Sequence, residues 1–288
     1  MGFLSKENAM KVAFLSDVHS NYHALMSCYQ YIEKSRIDYV CYLGDYISDL
    51  PYPVRTIEAI KEFARNHTCF YIKGNREEYM ENAFKNNILF KKGSQQGSLL
   101  YTFENLRNED IAWFMSLPVS SEVAIGDYAP FGISHGGYDN SRDIITICDN
   151  TAYDFIKKQR TRLHVLGHSH KPFLYKRDGK ILLNPGSVGV PVSGRTRAQM
   201  AVVTFHSDTI MPDLVELSYD TEAAVREFYE SGLLEYADVW ARTIIAILKT
   251  GEHYNERCIQ LVKKLSEQSG RDFSDEELWQ NAAEMLGI

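Results

Sequence analysis

Three times before residue 76 a short apolar run ends in a polar pair: Val12 to Leu15 runs into Ser16-Asp17, Tyr39 to Leu43 into Gly44-Asp45, and Cys69 to Ile72 toward Gly74-Asn75. Helical patterns separate the runs: Ala24, Leu25, Cys28, Tyr31 and Ile32 recur at helix spacing after the first, and Val54 to Phe63 follows the second. Strand, helix and strand in alternation build an α/β fold, whose ligands sit in the crevice beyond the carboxyl ends of the strands. The three polar termini are therefore expected to converge on one site.

The second half reads as richer in strands. A helical pattern from Gln95 to Leu117 stops at Pro118, and Ser120 to Ile125 and Tyr128 to Ser134 alternate as two strands joined through Gly126-Asp127. The second of these delivers His135. A helix near Ala152 to Lys158 precedes a strand, Leu163 to Leu166, that ends in Gly167-His168-Ser169-His170. Phe173 to Lys176 and Ile181 to Leu183 flank Asp178-Gly179, a hairpin signal, before strands at Gln199 to Phe205 and near Asp213 to Leu217. After about Ser218 the pattern becomes helical, with breaks near Gly232, Gly251 and Gly270 and an apolar face of Tyr236, Trp240, Ile244, Ile245 and Leu248. The expected division is a main domain over 1–217 and a helical C-terminal appendage over 218–288, too small to count as an independent domain.

Each polar terminus has an ordinary reading by itself. Asp17-x-His19 puts a carboxylate and an imidazole on one side of a strand end, yet Asp17 could simply cap the next helix and His19 bond within a turn. Gly44-Asp45 and Gly74-Asn75 are common turn chemistry. Gly167-His168-Ser169-His170 offers two imidazoles that suit transition-metal ligation, or a pair of histidines in a polar turn.

The joint order is more specific. D-x-H, G-D, G-N-x-[DE], then Ser134-His135-Gly136 and G-H-x-H, each after an expected strand, resembles the calcineurin-like metallophosphoesterase superfamily from about Lys11 to Phe205. The chain looks most similar to the small bacterial phosphodiesterase branch, through Gly44-Asp45-Tyr46-Ile47 with Pro51-Tyr52-Pro53, Gly74-Asn75-Arg76-Glu77 and Asn184-Pro185-Gly186-Ser187. The resemblance implies a four-layer α/β/β/α sandwich of two mixed β-sheets flanked by helices. It also implies two divalent transition-metal ions, manganese first, with iron, cobalt, nickel and zinc as alternatives. Asp17, His19 and His170 would hold one ion, Asn75, His135 and His168 the other, and Asp45 would bridge them. The implied reaction is hydrolysis of a small-molecule or nucleotide phosphoester by attack of a metal-bridging hydroxide, with no covalent nucleophile. Two other readings go with the resemblance: a non-catalytic interaction scaffold, as in a retromer subunit of this fold, and a nucleotide or dinucleoside polyphosphate hydrolase.

Two departures stand out. Many members carry His after the Asn, as leaving-group proton donor, where this chain has Arg76. A guanidinium is a poor acid, but its fork binds phosphate oxygens, so Arg76 is a catalytic candidate for charge stabilisation and phosphodiesters are the favoured substrates. The alternative for Arg76 is an ion pair with Glu77 or Glu78. Ser20 stands where the family often has Gly and is expected to affect only loop shape. Arg195 and Arg197 are expected on the solvated surface, His23 and His164 in structural roles, and His67, His206 and His253 show no partner pattern.

A net charge of -7 argues against a dedicated nucleic-acid surface, and five widely spaced cysteines without C-x-x-C argue against a disulfide framework or zinc knuckle. No secretion signal is evident in MGFLSKENAM, Lys6 breaks the myristoylation motif that Gly2 suggests, and no long apolar run follows. A cytoplasmic enzyme that does not cross the membrane is expected, with the C-terminal helices serving as a lid or as a homo-oligomer contact.

Overall fold

The computed structural model describes residues 9–288; Gly2 and Lys6 lie outside the described residues. Among the described residues no helix is long and apolar enough to cross a membrane.

The first sheet contains β1 (Met10–Leu15), β2 (Tyr39–Tyr42), β3 (Thr68–Tyr71), β9 (Ala198–Phe205) and β10 (Ile210–Leu217) in the order β10-β9-β1-β2-β3. β1, β2 and β3 are parallel, whereas β9 runs antiparallel to both β1 and β10. The second sheet has β4 (Ser120–Val123), β5 (Phe131–Ser134), β6 (Leu163–Leu166), β8 (Lys180–Asn184) and β7 (Phe173–Arg177), in that spatial order, with β5, β6 and β8 parallel.

Strand alternation sorts the core into layers. Val12, Phe14, Cys41, Leu43, Ala201 and Val203 face Phe131, Ile133, Leu163, Val165 and Leu183 across the gap between the sheets. The intervening residues Ala13, Leu15, Val40 and Tyr42 pack outward on α1 (Tyr22–Lys34) and α2 (Pro53–Phe63), through Leu25, Cys28, Ile32, Ile57 and Ile60. Leu166, Leu182 and Phe173 cover the far face of the second sheet with Phe155 and Ile156 of α6 (Thr151–Lys158). The result is the expected α/β/β/α sandwich of two mixed sheets.

Some local expectations need correction. The helical stretch over 95–117 is two helices, α4 (Gly97–Glu104) and α5 (Asn108–Ser116). The chain is extended at Arg107, and the buried carboxylate of Asp110 accepts the Arg107 backbone N–H at 3.4 Å and its Nε–H at 2.8 Å. A helix, α3 (Asn75–Asn86), begins directly at the third polar terminus; its mostly polar sequence conceals it. The β4–β5 link is longer than a tight turn, since pairing ends at Val123 and Phe131.

The C-terminal helices are α7 (Thr221–Glu230), α8 (Leu233–Thr250), α9 (Tyr254–Ser269) and α10 (Glu276–Leu286). Gly232, Gly251 and Gly270 separate α7 to α10 in left-handed conformation, at the expected breaks. Phe228, Leu233, Ile244 and Leu248 pack on Leu50, Tyr101, Val190 and Val192, two of which belong to the loop after β8.

Candidate metal centre

The ends of β1, β2, β5 and β6 and the start of α3 meet at one edge of the sandwich. Asp17, His19 and His170 bring one ligand atom each within 4.8 Å of one another, and Asp45, His135 and His168 form a second such group. Asn75 joins the second group, its Oδ1 3.2 Å from His135 Nε2. All seven expected residues are thus at one place. Asp17 does not cap α1; Asn21 does, accepting the Ala24 N–H at 3.0 Å.

Five of these residues, Asp17, His19, Asp45, His168 and His170, adopt positive φ, as do Ser20 and Asp49. For side chains other than Gly this is an uncommon and costly backbone, which clusters where a site demands a particular geometry. Close backbone approach is also enforced. A Cβ at Gly74 would lie 2.2 Å from Asp45 Oδ1, and one at Gly167 would lie 1.9 Å from Ser16 Oγ. The Asn184-Pro185-Gly186-Ser187 segment braces the same loops: Asn184 Nδ2 donates to Gly167 O at 2.7 Å, and Ser187 Oγ donates to Asp17 O at 2.8 Å.

The imidazoles are held from behind. His135 Nδ1 is 2.6 Å from Leu43 O, His170 Nδ1 is 2.7 Å from Val190 O, and Asp49 Oδ2 approaches His19 Nδ1 to 3.0 Å. Nδ1 carries a proton where a carbonyl or carboxylate faces it, which leaves each Nε2 aimed at the centre as the atom that would ligate a cation in place of its proton. His19 Nε2 and His170 Nε2 then face each other at 3.1 Å, with Asp17 Oδ1 3.2 Å from His170 Nε2. Asp17 Oδ2 accepts from Ser16 Oγ at 2.6 Å and His168 N at 3.1 Å, while the buried Oδ1 has no hydrogen-bond donor. Carboxylate oxygens and imidazole nitrogens that converge around the unpartnered Asp17 Oδ1 fit a cation, and the mix of oxygen and imidazole nitrogen suits a divalent transition metal. Asp45 Oδ1 accepts the Arg76 N–H at 2.9 Å; Oδ2 lies 3.4 Å from His135 Nε2 and 3.7 Å from His19 Nε2, between the two groups.

The electrostatics follow from burial and proximity. Burial alone would raise the Asp17 carboxyl, but His170 and His135 outweigh it and hold it well below the usual range; His135 and His19 do the same for Asp45. Burial opposes charge on His135 as well, but Asp45 and Asp17 push it up to about 10. Burial, then His135, pulls His168 down to about 4.

Arg76 does not pair with Glu77 or Glu78. Its Nη2 donates to Asp49 Oδ2 at 2.9 Å, while Glu77 turns inward to accept backbone N–H groups. A cavity of about 440 Å³ opens over the centre, lined by Asp45, Asn75, Arg76, His168 and His170 together with Ile144, His253 and Glu256. Asp49 and His253 are thus site residues that had no motif to mark them. His253 Nδ1 lies 2.6 Å from Glu256 Oε2. Away from the centre, His23 pairs with Glu227 at 2.9 Å, His164 is buried within β6, His67 stacks on Phe63, and the exposed Arg195 pairs with Glu216.

Comparison with known proteins bears on the fold and the family. An uncharacterised protein of Methanocaldococcus jannaschii is 26% identical over 243 residues, covering 78% of this chain and 94% of its own length. The chain shares its fold with a metallophosphoesterase from Sphaerobacter thermophilus, at TM-score 0.65 and 22% identity over 85% of this chain and 100% of that one. A hypothetical protein from Pyrococcus horikoshii superposes at TM-score 0.69 and 20% identity, over 84% of this chain and 98% of that one. Residues 10–208 match the calcineurin-like phosphoesterase superfamily domain. That stretch opens on β1, runs past β9 and takes in all seven converging residues, so the chain belongs to the calcineurin-like phosphoesterase superfamily.

Proposed function

We propose that this protein is a dinuclear metal-dependent hydrolase of small phosphodiesters, with manganese as the foremost metal and the cytoplasm as its compartment. The observation that carries the reading is Asp45 Oδ2, which lies between two groups that each converge on a point. Asp17, His19 and His170 would hold one cation, Asn75, His135 and His168 the other, with Asp45 shared. Bound there, the cations would supply Lewis-acid activation of water and neutralise charge on the phosphoryl group.

The protein's own contribution is position and charge. The Nδ1 contacts of His19, His135 and His170 fix ring orientation before any ligand arrives. Arg76 lines the cavity, where its guanidinium can bind phosphoryl oxygens; it is too weak an acid to protonate a departing alkoxide. That favours diesters and esters with good leaving groups. The cavity volume of about 440 Å³ suits a small molecule.

The deciding experiment is metal analysis of the purified protein with paired assays on bis(4-nitrophenyl) phosphate and 4-nitrophenyl phosphate in manganese. Diester turnover that needs manganese and exceeds monoester turnover is expected. A protein that stays metal-free and inactive in excess manganese overturns the reading, and vigorous hydrolysis of unactivated alkyl monoesters overturns the diester preference.

A further inference from the structure

Asp49 has a place that its sequence context does not announce. It sits four residues after Asp45, is 3% exposed, and has a left-handed backbone at φ +67. Both carboxylate oxygens are engaged: Oδ2 accepts from Arg76 Nη2 at 2.9 Å and also lies 3.0 Å from His19 Nδ1, and Oδ1 accepts from the indole Nε1–H of Trp240 at 2.8 Å. Its backbone N–H donates to Ser98 Oγ of α4 at 3.0 Å. Trp240 belongs to α8 and packs with Val239, Leu278 and Trp279, in the apolar cluster that joins α8, α9 and α10.

We propose that Asp49 is a positioning residue that aims the Arg76 guanidinium into the cavity for a phosphoryl group, and that Trp240 holds Asp49 for this task. The inference rests on the reading of the cavity as a phosphoryl site. An arginine side chain has several rotatable bonds, and one charge-assisted bond at a fixed carboxylate removes much of that freedom before substrate binds. The second oxygen is tied by the indole N–H, with Ser98 Oγ as a longer donor at 3.4 Å, so the carboxylate is held from both ends. The C-terminal helices thus reach Arg76 through an indole N–H, in addition to lining the cavity with His253 and Glu256.

The test is a double-mutant cycle on the full-length, manganese-loaded protein, with inorganic phosphate as ligand in calorimetry and bis(4-nitrophenyl) phosphate as substrate. Asp49→Asn keeps the size of the side chain and is expected to weaken phosphate binding and lower kcat/KM by about ten-fold. Trp240→Phe keeps a ring in the cluster and is expected to cost about three-fold in both. Added to Arg76→Ala, Trp240→Phe should have almost no further effect and Asp49→Asn should keep only the smaller loss that its contact with His19 Nδ1 carries, because the guanidinium that both position is gone. A purely structural role would give losses that persist in full in the Arg76→Ala background for both variants, and that additivity overturns the proposal. So does a wild-type protein with no affinity for phosphate. If the wild type binds phosphate but turns over no ester, the hydrolase reading fails while the cycle in phosphate affinity still decides the role of Asp49.

Discussion

Glu77 Oε2 accepts the backbone N–H of Asp45 at 2.9 Å and that of Gly74 at 2.8 Å, while Oε1 accepts the N–H of Tyr46 at 2.9 Å. One buried carboxylate therefore clamps the end of β2 to the start of α3, the two segments that present Asp45 and Asn75. This is a physical reason for an acid two residues after the Asn. Glu77→Gln would set an amide N–H₂ against at least one backbone N–H, leaving buried donors unpaired at a cost of about 1–3 kcal/mol. A lower thermal midpoint together with reduced manganese occupancy is expected; an unchanged midpoint would show that the clamp is dispensable.

The run of left-handed residues at the centre predicts strong coupling between metal and stability. Asp17, His19, Asp45, His168 and His170 hold an unfavourable backbone and direct several acceptors at one another. A cation that binds only the folded state adds about 2.7 kcal/mol at a hundred times its dissociation constant. Manganese should raise the thermal midpoint by several degrees and a chelator should reverse this. Asp45→Asn should abolish turnover and most of the shift while leaving the secondary structure intact. His23→Ala, which removes contacts to Glu227 and the Tyr22 ring away from the centre, should leave the shift and the turnover as they are.

Removal of the C-terminal helices tests how far they are part of the centre. Truncation after Ser218 uncovers Leu50, Tyr101, Val190 and Val192, and burial of each such side chain is worth about 1.5–3 kcal/mol. Val190 also offers the carbonyl that faces His170 Nδ1 at 2.7 Å. The truncated chain is expected to be poorly soluble, with a much lower thermal midpoint and no turnover. A soluble truncated protein with unchanged kinetics would make the helices independent of the site.

The layers and the seven converging residues were legible because each expected ligand follows a strand end and strand ends have a strong apolar-to-polar signature. Asp17, Asp45, His135 and His168 all mark such boundaries. Asp49 was not legible: it lies in a loop between Asp45 and α2, and its partners Arg76, Ser98 and Trp240 are brought to it by three separate helices. His253 likewise reaches the cavity only because Gly251 turns the chain between α8 and α9. Helix α3 is poorly legible because its buried face mixes Met80 and Ala83 with Asn75 and the carboxylates of Glu77 and Glu81, tied to backbone N–H groups and to Lys73, so the apolar stripe is weak.

His164 predicts a pH signature separate from the centre. It lies on β6 with Nε2 2.9 Å from Ser134 Oγ of β5, and its ring sits 4.9 Å from both Tyr138 and Phe155. Burial pulls its pKa down to about 3, so the folded protein keeps it neutral while the unfolded chain protonates it near the ordinary value of about 6.5. Between these values the unfolded state binds the extra proton. Stability is therefore present above about pH 6.5 and is lost as pH falls toward 3, at about 1.4 kcal/mol per pH unit from this residue. His164→Gln retains a hydrogen-bonding group for Ser134 but cannot titrate. Urea unfolding of both proteins between pH 4 and 6 should show a shallower dependence in the variant by about that slope, whatever its stability at neutral pH. Parallel slopes would mean that His164 is protonated within the fold, against its buried place edge-on to the stacked rings of Tyr138 and Phe155.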